Sequence, residues 1–428
     1  MKLGILLRNA LVLCIAVLLL PKSVLPPGND IENIRAFTRQ IEFDYVNWTL
    51  DALYLKAAQA AFNPTRYLDD GTQKDLVLEY RTLINQINQT ETQIETIYAD
   101  PSIENPDEVA APLLQELSRQ TGFQNKLGPL VESILQQQIS ATLDDLDIAI
   151  AGQPIPPLLF HSTPLPLALI VSPRDQIRQD ADISLLPDLT LEQITDLEKR
   201  VEEELNMSAL VVNIGGMGLY PTMILNTSNF PFLIEVISHE WIHNYLTLRP
   251  LGLNYETSPE LRTINETTAN LSGKEIQQAV FEKFYPEELP EPVTTPETPP
   301  AAEEDSPAQD PPPFDFRAEM HQTRITVDAL LEEGKIEEAE LYMEQRRQIF
   351  VANGYRIRKL NQAYFAFHGA YADEPGGAAG SDPVGPAVRE LRDNSDSLAA
   401  FLRKIAWVTS FDQLQAILIQ QKALVGEP

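Results

Sequence analysis

Apolar residues along this chain recur mostly at spacings of three and four, the period of a helix with one buried face. Phe43–Phe62, Lys74–Tyr98 and Asp107–Leu146 carry such stripes, the second through Leu76, Leu83, Ile84, Ile87 and Ile94. A packed set of helices is the expectation for this part. The pattern changes at Leu165. LPLALIVSP is a short, continuous apolar run of strand type, and Leu189–Leu205 returns to helical spacing. Ser208–Leu225 then supplies two β-rich runs broken by Gly215, Gly216 and Gly218, where glycines punctuate strands. An almost wholly apolar helix follows at Phe232–Leu248, and another opens at Ile264. Helical spacing resumes over Phe314–Tyr371 and Ala387–Leu424, around a Gly/Pro/Ala loop at Gly376–Gly385. The pattern predicts an α+β fold, predominantly helical, with a small mixed sheet beside the Phe232–Leu248 helix.

Two segments stand apart from this pattern. Met1–Leu20 has Lys2 and Arg8 ahead of an unbroken apolar run from Ala10 to Leu20. That run is shorter than the ~20 residues of a spanning helix, but Gly4–Leu7 extends it if Arg8 snorkels to the interface. Leu20 is not followed by a small-x-small cleavage site, so residues 1–27 are expected to be an uncleaved, single-pass membrane anchor. Its basic end would lie in the cytoplasm and the rest of the chain outside; secretion after signal cleavage is the alternative. Residues 286–313 hold ten prolines, eight acids and no base, which reads as a disordered acidic linker. Between them lie a helical region, 28–150, and a core, 151–285, that contains the strands, the apolar helix and the helix that opens at Ile264. Residues 314–428 form a helical part expected to close over the same cleft.

Charge and cysteine content narrow the chemistry. The 428 residues carry 32 Lys+Arg against 62 Asp+Glu, a net charge of −30, of which −22 remains without the linker. Such a balance argues against nucleic acid and against a basic patch for anionic lipid. The single cysteine excludes intrachain disulfides and metal sites built on several thiolates.

Histidine is scarce, with only His161, His239, His243, His321 and His368. Two of these sit in His239-Glu240-Trp241-Ile242-His243, inside the apolar helix. A spacing of four puts both imidazoles on one face, able to reach one metal ion. Glu240, about 100° around the helix, can reach a water on that metal, as a general base must. Two surface histidines would have polar neighbours, whereas these have Ile234, Val236, Ile237, Trp241, Ile242 and Leu246. A catalytic zinc site takes three protein ligands and leaves one position open. Here the third must be His, Asp or Glu. Glu266 is a candidate: with Ala269, Asn270 and Gly273 it forms a helix face that is small apart from the carboxylate, so two helices can approach closely. His161 and His321 have no partner motif and are expected to play no special part.

HEWIH followed by NETTA resembles the HExxH…NExxA signature of the gluzincin metallopeptidases, the superfamily of thermolysin and the zinc aminopeptidases. The likeness covers Phe232–Gly273 closely and implies a gluzincin-like catalytic domain. By that resemblance one Zn²⁺ is held by His239, His243 and Glu266, while Glu240 activates water against a peptide carbonyl. Thermolysin-like members carry an Asp four residues after the ligand Glu, to orient a zinc-bound His. Asn270 stands there and can accept the same N–H bond. The Gly215–Pro221 segment occupies the place where gluzincins run an edge strand along the substrate, so Gly216, Met217 and Gly218 are expected to pair with substrate backbone. The aminopeptidases' amine-binding Glu has no counterpart in this segment. Oxyanion donors in these enzymes come from a Tyr or His well downstream; Tyr364, His368 and Tyr371 share one helical face, and His368 and Tyr371 are the candidates. The N-terminal anchor, HEWIHNYL and KLNQAYFAFHGAYA together look like a group of bacterial membrane-anchored gluzincins.

The expectation is therefore a zinc metallopeptidase acting on a peptide or protein substrate outside the cytoplasmic membrane. An inactive gluzincin-fold module for envelope binding or assembly, and a zinc amidase acting on cell-wall material, are the alternatives.

Overall fold

The computed structural model describes residues 30–99, 102–289, 314–371 and 377–425. The anchor expected at 1–27 lies outside these residues. Among the described residues no helix is long and apolar enough to cross a membrane.

In chain order the first helices are α1 (Asp30–Thr38), α2 (Tyr45–Phe62), α3 (Asp70–Ala99) and α4 (Pro106–Asp145). Asp44 caps α2 by accepting from the Val46 and Asn47 amides, and Asn63 in the left-handed conformation, followed by Pro64, ends it. Next come β1 (Phe160–Ser162), β2 (Leu167–Pro173), β3 (Ala181–Leu185), α5 (Leu191–Leu205), β4 (Met207–Asn213), β5 (Gly216–Met217) and β6 (Thr222–Ile224). A Thr190/Gln193 capping box starts α5. Helices α6 (Phe230–Thr247), α7 (Pro250–Leu253) and α8 (Pro259–Phe284) follow, then α9 (Phe316–Glu332), α10 (Ile336–Ala352) and α11 (Gln362–His368). The described chain closes with α12 (Val384–Asp393), α13 (Leu398–Ile405) and α14 (Phe411–Val425).

The fold is α+β and mainly helical, but its strands form two sheets where one was expected. The first is antiparallel with order β3-β2-β4, and the second is mixed with order β1-β6-β5, β1 parallel to β6 and β5 antiparallel to it. The chain's apolar pattern did not mark β1 or β3. The helical spacing over Ala387–Leu424 resolves into three helices, the first beginning at Val384, inside the expected loop. Pro286–Glu288 makes a 3₁₀ turn pinned to α3 by ion pairs from Lys74 to Glu287 and from Arg81 to Glu288; residues 290–313 of the expected linker lie outside the described residues.

β2 explains how the halves join. It is buried on both faces, which is why its sequence is apolar without alternation. Leu169 and Val171 face α1 and α5 through Ile34, Leu197 and Val201. Ala168 and Ile170 face α11 through Ala363 and Phe367. The sheet thus carries α11 at a fixed height beside the cleft, held further by Arg358, whose two nitrogens grip Glu198 at 2.8 and 2.6 Å. The largest core runs from α3 and α4 through β1 and β6 to α6, α8 and α12–α14, so the chain on both sides of residue 150 shares one interior.

Candidate metal centre

α6 is capped by Asn229, whose side chain accepts from the Phe232 amide. Its apolar residues bury it on nearly all sides, and His239, Glu240, Trp241 and Asn244 are buried with them. α8 starts at a Ser258 cap with Pro259 in the first turn. The two helices pack closely because Gly273 faces α6; a Cβ there would lie 3.2 Å from His239 Cβ and 3.1 Å from the Glu235 carbonyl. That approach delivers Glu266 to the histidines.

His239 Nε2 and His243 Nε2 lie 3.0 Å apart, and each is 3.5 Å from Glu266 Oε2. Ligand bonds of ~2.0–2.1 Å at tetrahedral angles would separate donor atoms by about 3.3–3.4 Å, so these three atoms could hold one metal ion. The donor chemistry agrees. Glu266 Oε2 is buried and has no hydrogen-bond partner among the described residues, while Oε1 accepts from the Tyr255 hydroxyl. An orphaned buried carboxylate oxygen aimed at two imidazole nitrogens is costly unless a cation sits among them. Burial alone would raise the Glu266 carboxyl; His243 and His239 hold it well below its ordinary range. Burial works against the His243 cation too, yet Glu266 and Glu240 beside it bring its pKa up to about 9.

Asn265 Oδ1 stands 2.8 Å from His243 Nδ1 and so fixes that ring's orientation. Asn270, the residue expected to orient a histidine, is half-buried further along the same helix. Tyr255 is itself approached by Arg262, whose Nε lies 3.4 Å from the phenol oxygen and whose Nη1 donates to the Ala366 carbonyl at 3.0 Å. Neither Tyr255 nor Arg262 belongs to a motif, and only the fold brings them here.

Glu240 is buried, which raises its carboxyl, while the two histidines work the other way. The edge strand β5 lies directly on it. A Cβ at Gly216 would come within 2.7 Å of Glu240 Cγ and 2.8 Å of its Oε1, and one at Gly218 within 3.0 Å of His243 Cβ. Glycine is what lets the backbone run there. Asn244 Nδ2 ties the turn down by donating to the Leu219 carbonyl and Thr222 Oγ1, both at 3.0 Å. Met217 receives the Tyr45 hydroxyl at 3.1 Å. Gly216, Met217 and Gly218 thus line the same cleft as His239, His243 and Glu266, a cavity of about 1310 Å³ walled on its far side by β3 and the end of α11.

The two downstream candidates part company. Tyr371 lines the cleft, with its ring 6.5 Å from that of His239. Burial, then Glu266 and Tyr255, keeps its phenol well above the ordinary pKa, hence protonated and able to donate. His368 is not among the cleft residues. It packs on Tyr364 at 4.3 Å and Phe367 at 5.1 Å between ring centroids, and burial lowers its pKa to about 4.

No protein-family model, curated protein or solved structure matches this chain.

Proposed function

We propose that the protein is a zinc-dependent peptidase of gluzincin type. The convergence of His239 Nε2, His243 Nε2 and the orphaned Glu266 Oε2, at separations suited to one tetrahedral ion, carries this reading. Its neighbours support it: a buried carboxylate one residue along the same helix, and an edge strand whose free side borders a cleft large enough for a peptide. Zinc bound there supplies Lewis acidity toward a scissile carbonyl and toward water. The work of the chain itself is distinct. Glu240 accepts the proton as water adds to the carbonyl carbon, and returns it to the leaving amine as the C–N bond breaks. Tyr371, held protonated, donates a hydrogen bond to the developing oxyanion. Tyr255 and Asn265 fix Glu266 and His243, and β5 aligns the substrate backbone. We place the reaction outside the cytoplasmic membrane, with residues 1–27 as the tether.

The test is the full chain assayed for metal content and for cleavage of a quenched-fluorescent peptide library. One zinc per chain, with cleavage abolished by chelator, restored by zinc and lost in Glu240→Gln, is the expected result. Stoichiometric zinc without cleavage of any peptide would overturn the peptidase reading, and absence of zinc from the native protein would overturn the metal reading.

A further inference from the structure

The outer face of α2 has no counterpart elsewhere in the described structure. Val46 is 70% exposed, Leu50 61%, Leu53 40% and Tyr54 80%, and Phe62 at the helix's last position and Tyr67 beyond it are 76% and 73% exposed. At 100° per residue, Val46, Leu50, Leu53 and Tyr54 fall on one side, with exposed Ala57 and Ala61 completing the stripe. Asp51 is the single exposed charge on the helix; its one cation, Lys56, is turned inward and buried against Glu132. In a chain with a net charge of −30, an exposed apolar strip about 27 Å long with one charge is a surface made to be covered.

We propose that α2 lies along the surface of a zwitterionic lipid bilayer, with the Val46–Leu50–Tyr54 stripe seated at the boundary between head groups and acyl chains. The choice of occupant rests on the membrane-anchor reading of residues 1–27. Only Pro21–Asn29 separates the apolar run from α1, a reach of about 30 Å at full extension, so the described domain is held against the membrane that the anchor enters. The stripe has interfacial chemistry: aliphatic side chains in the middle, with Tyr54 and, past the helix end, Arg66 stacked on Tyr67 at 4.5 Å. Anionic lipid is disfavoured, because the exposed face of α2 offers no cation and the whole chain is acidic. A second copy is disfavoured by the same mutual repulsion.

The experiment uses the full chain with its single cysteine removed, Cys14→Ala, carrying an environment-sensitive fluorophore at Leu50→Cys or, as control, at Leu341→Cys, which is equally exposed at 61% on α10. In phosphatidylcholine nanodiscs the Leu50 label is expected to shift to the blue and to be quenched several-fold more by acyl-brominated lipid than the Leu341 label. Equal quenching at the two positions overturns the proposal. So does a blue shift at Leu50 that needs no lipid and grows with protein concentration, which would assign the face to a second copy, or one that appears only with another protein added. Alkaline extraction of the unsubstituted chain reads the anchor separately. If the chain is released, the anchor reading fails, and the two labelled variants are titrated with phosphatidylcholine vesicles: a shift at Leu50 alone upholds docking by α2, and no shift overturns it.

Discussion

Two buried clusters in this molecule are built from nearly the same parts, and only one of them is unfinished. On α2, α4 and β1, Lys56, Glu132 and His161 meet in the interior. Glu132 Oε2 accepts from Lys56 Nζ at 2.5 Å, and Oε1 accepts from the Ser162 amide at 2.9 Å with His161 Nδ1 at the same distance. Both carboxylate oxygens there have protein donors. At the His239–His243–Glu266 site, Glu266 accepts from Tyr255 through one oxygen and leaves the other buried without a donor among the described residues, facing two imidazoles. A finished cluster serves architecture: it pins β1, and through β6 the hairpin that carries β5, to the helices behind. An unfinished one is what the proposed metal would complete.

The largest effect should come from the carboxylate that stands beside the unfinished site. Glu240→Gln is expected to lower kcat by about 10³-fold or more, within the range for a lost general base, with zinc content unchanged. Glu266→Gln should instead lose the ion. Zinc at a thousandfold over its Kd would stabilise the unsubstituted protein by about 4 kcal/mol, a rise in Tm that Glu266→Gln should not show. If Glu266→Gln retains one zinc per chain with unchanged affinity, the contrast between the clusters fails.

The finished cluster should respond in the opposite sense. Lys56→Met leaves Glu132 buried with one partner fewer, and breaking a buried pair in this way costs about 3–5 kcal/mol. Denaturant unfolding should show that loss, while zinc stoichiometry stays at that of the unsubstituted chain. The double variant Lys56→Met with Glu132→Gln should cost less than the sum of the single changes. Zinc loss on Lys56→Met would mean that the two clusters are not independent.

How much of this was legible in the sequence follows from how local each signal is. The histidine helix, Glu266, Gly273 and the close approach of two helices were readable because a period of 3.6 and a pair of linked motifs lie within some forty residues. The doubly buried strand β2 announced itself by an unalternating apolar run. β3 did not: ADISL alternates, but Asp182 and Ser184 turn toward the cleft, and five residues are too few for a period to register. β1 is three residues long and exists by pairing with β6 some sixty residues later. His161 looked idle because its carboxylate partner lies 29 residues upstream on a helix whose other face is polar. Tyr255 and Arg262 were silent for the same reason, their roles being set by packing.

The helical face that offered both Tyr371 and His368 gives a smaller but sharper test. His368 is held neutral by burial, with a pKa of about 4 against an ordinary 6.5. A histidine depressed in the folded state contributes stability that is complete above pH 6.5 and is lost as pH falls toward 4, up to the order of 3 kcal/mol. His368→Gln should flatten the stability curve across that window and leave kcat near pH 7 within about threefold. Tyr371→Phe should do the reverse, lowering kcat by about 10²-fold, as loss of an oxyanion donor does, with the acid limb of stability unmoved. If His368→Gln shows the larger kinetic defect, the division between the two residues is wrong.

The smallest expected effect concerns the backbone that overlies Glu240. Gly216→Ala introduces a methyl group that would stand 2.7–2.8 Å from Cγ and Oε1 of that side chain. β5 is two residues long and sits at the sheet's edge, so it can retreat by a few tenths of an ångström, and Glu240 can rotate. Either adjustment moves the base relative to the substrate without touching His239, His243 or Glu266. Misplacement of that order should cost about tenfold to a hundredfold in kcat, with zinc affinity unchanged and unfolding stability lowered by no more than about 1 kcal/mol. Gly218→Ala, whose methyl would press on His243 Cβ at 3.0 Å, acts on a ligand instead and should weaken zinc binding as well as slow turnover. Equal zinc affinities in the two variants would show that the strand yields as a unit, and that these glycines shape the strand's path more than they shield the two side chains beneath it.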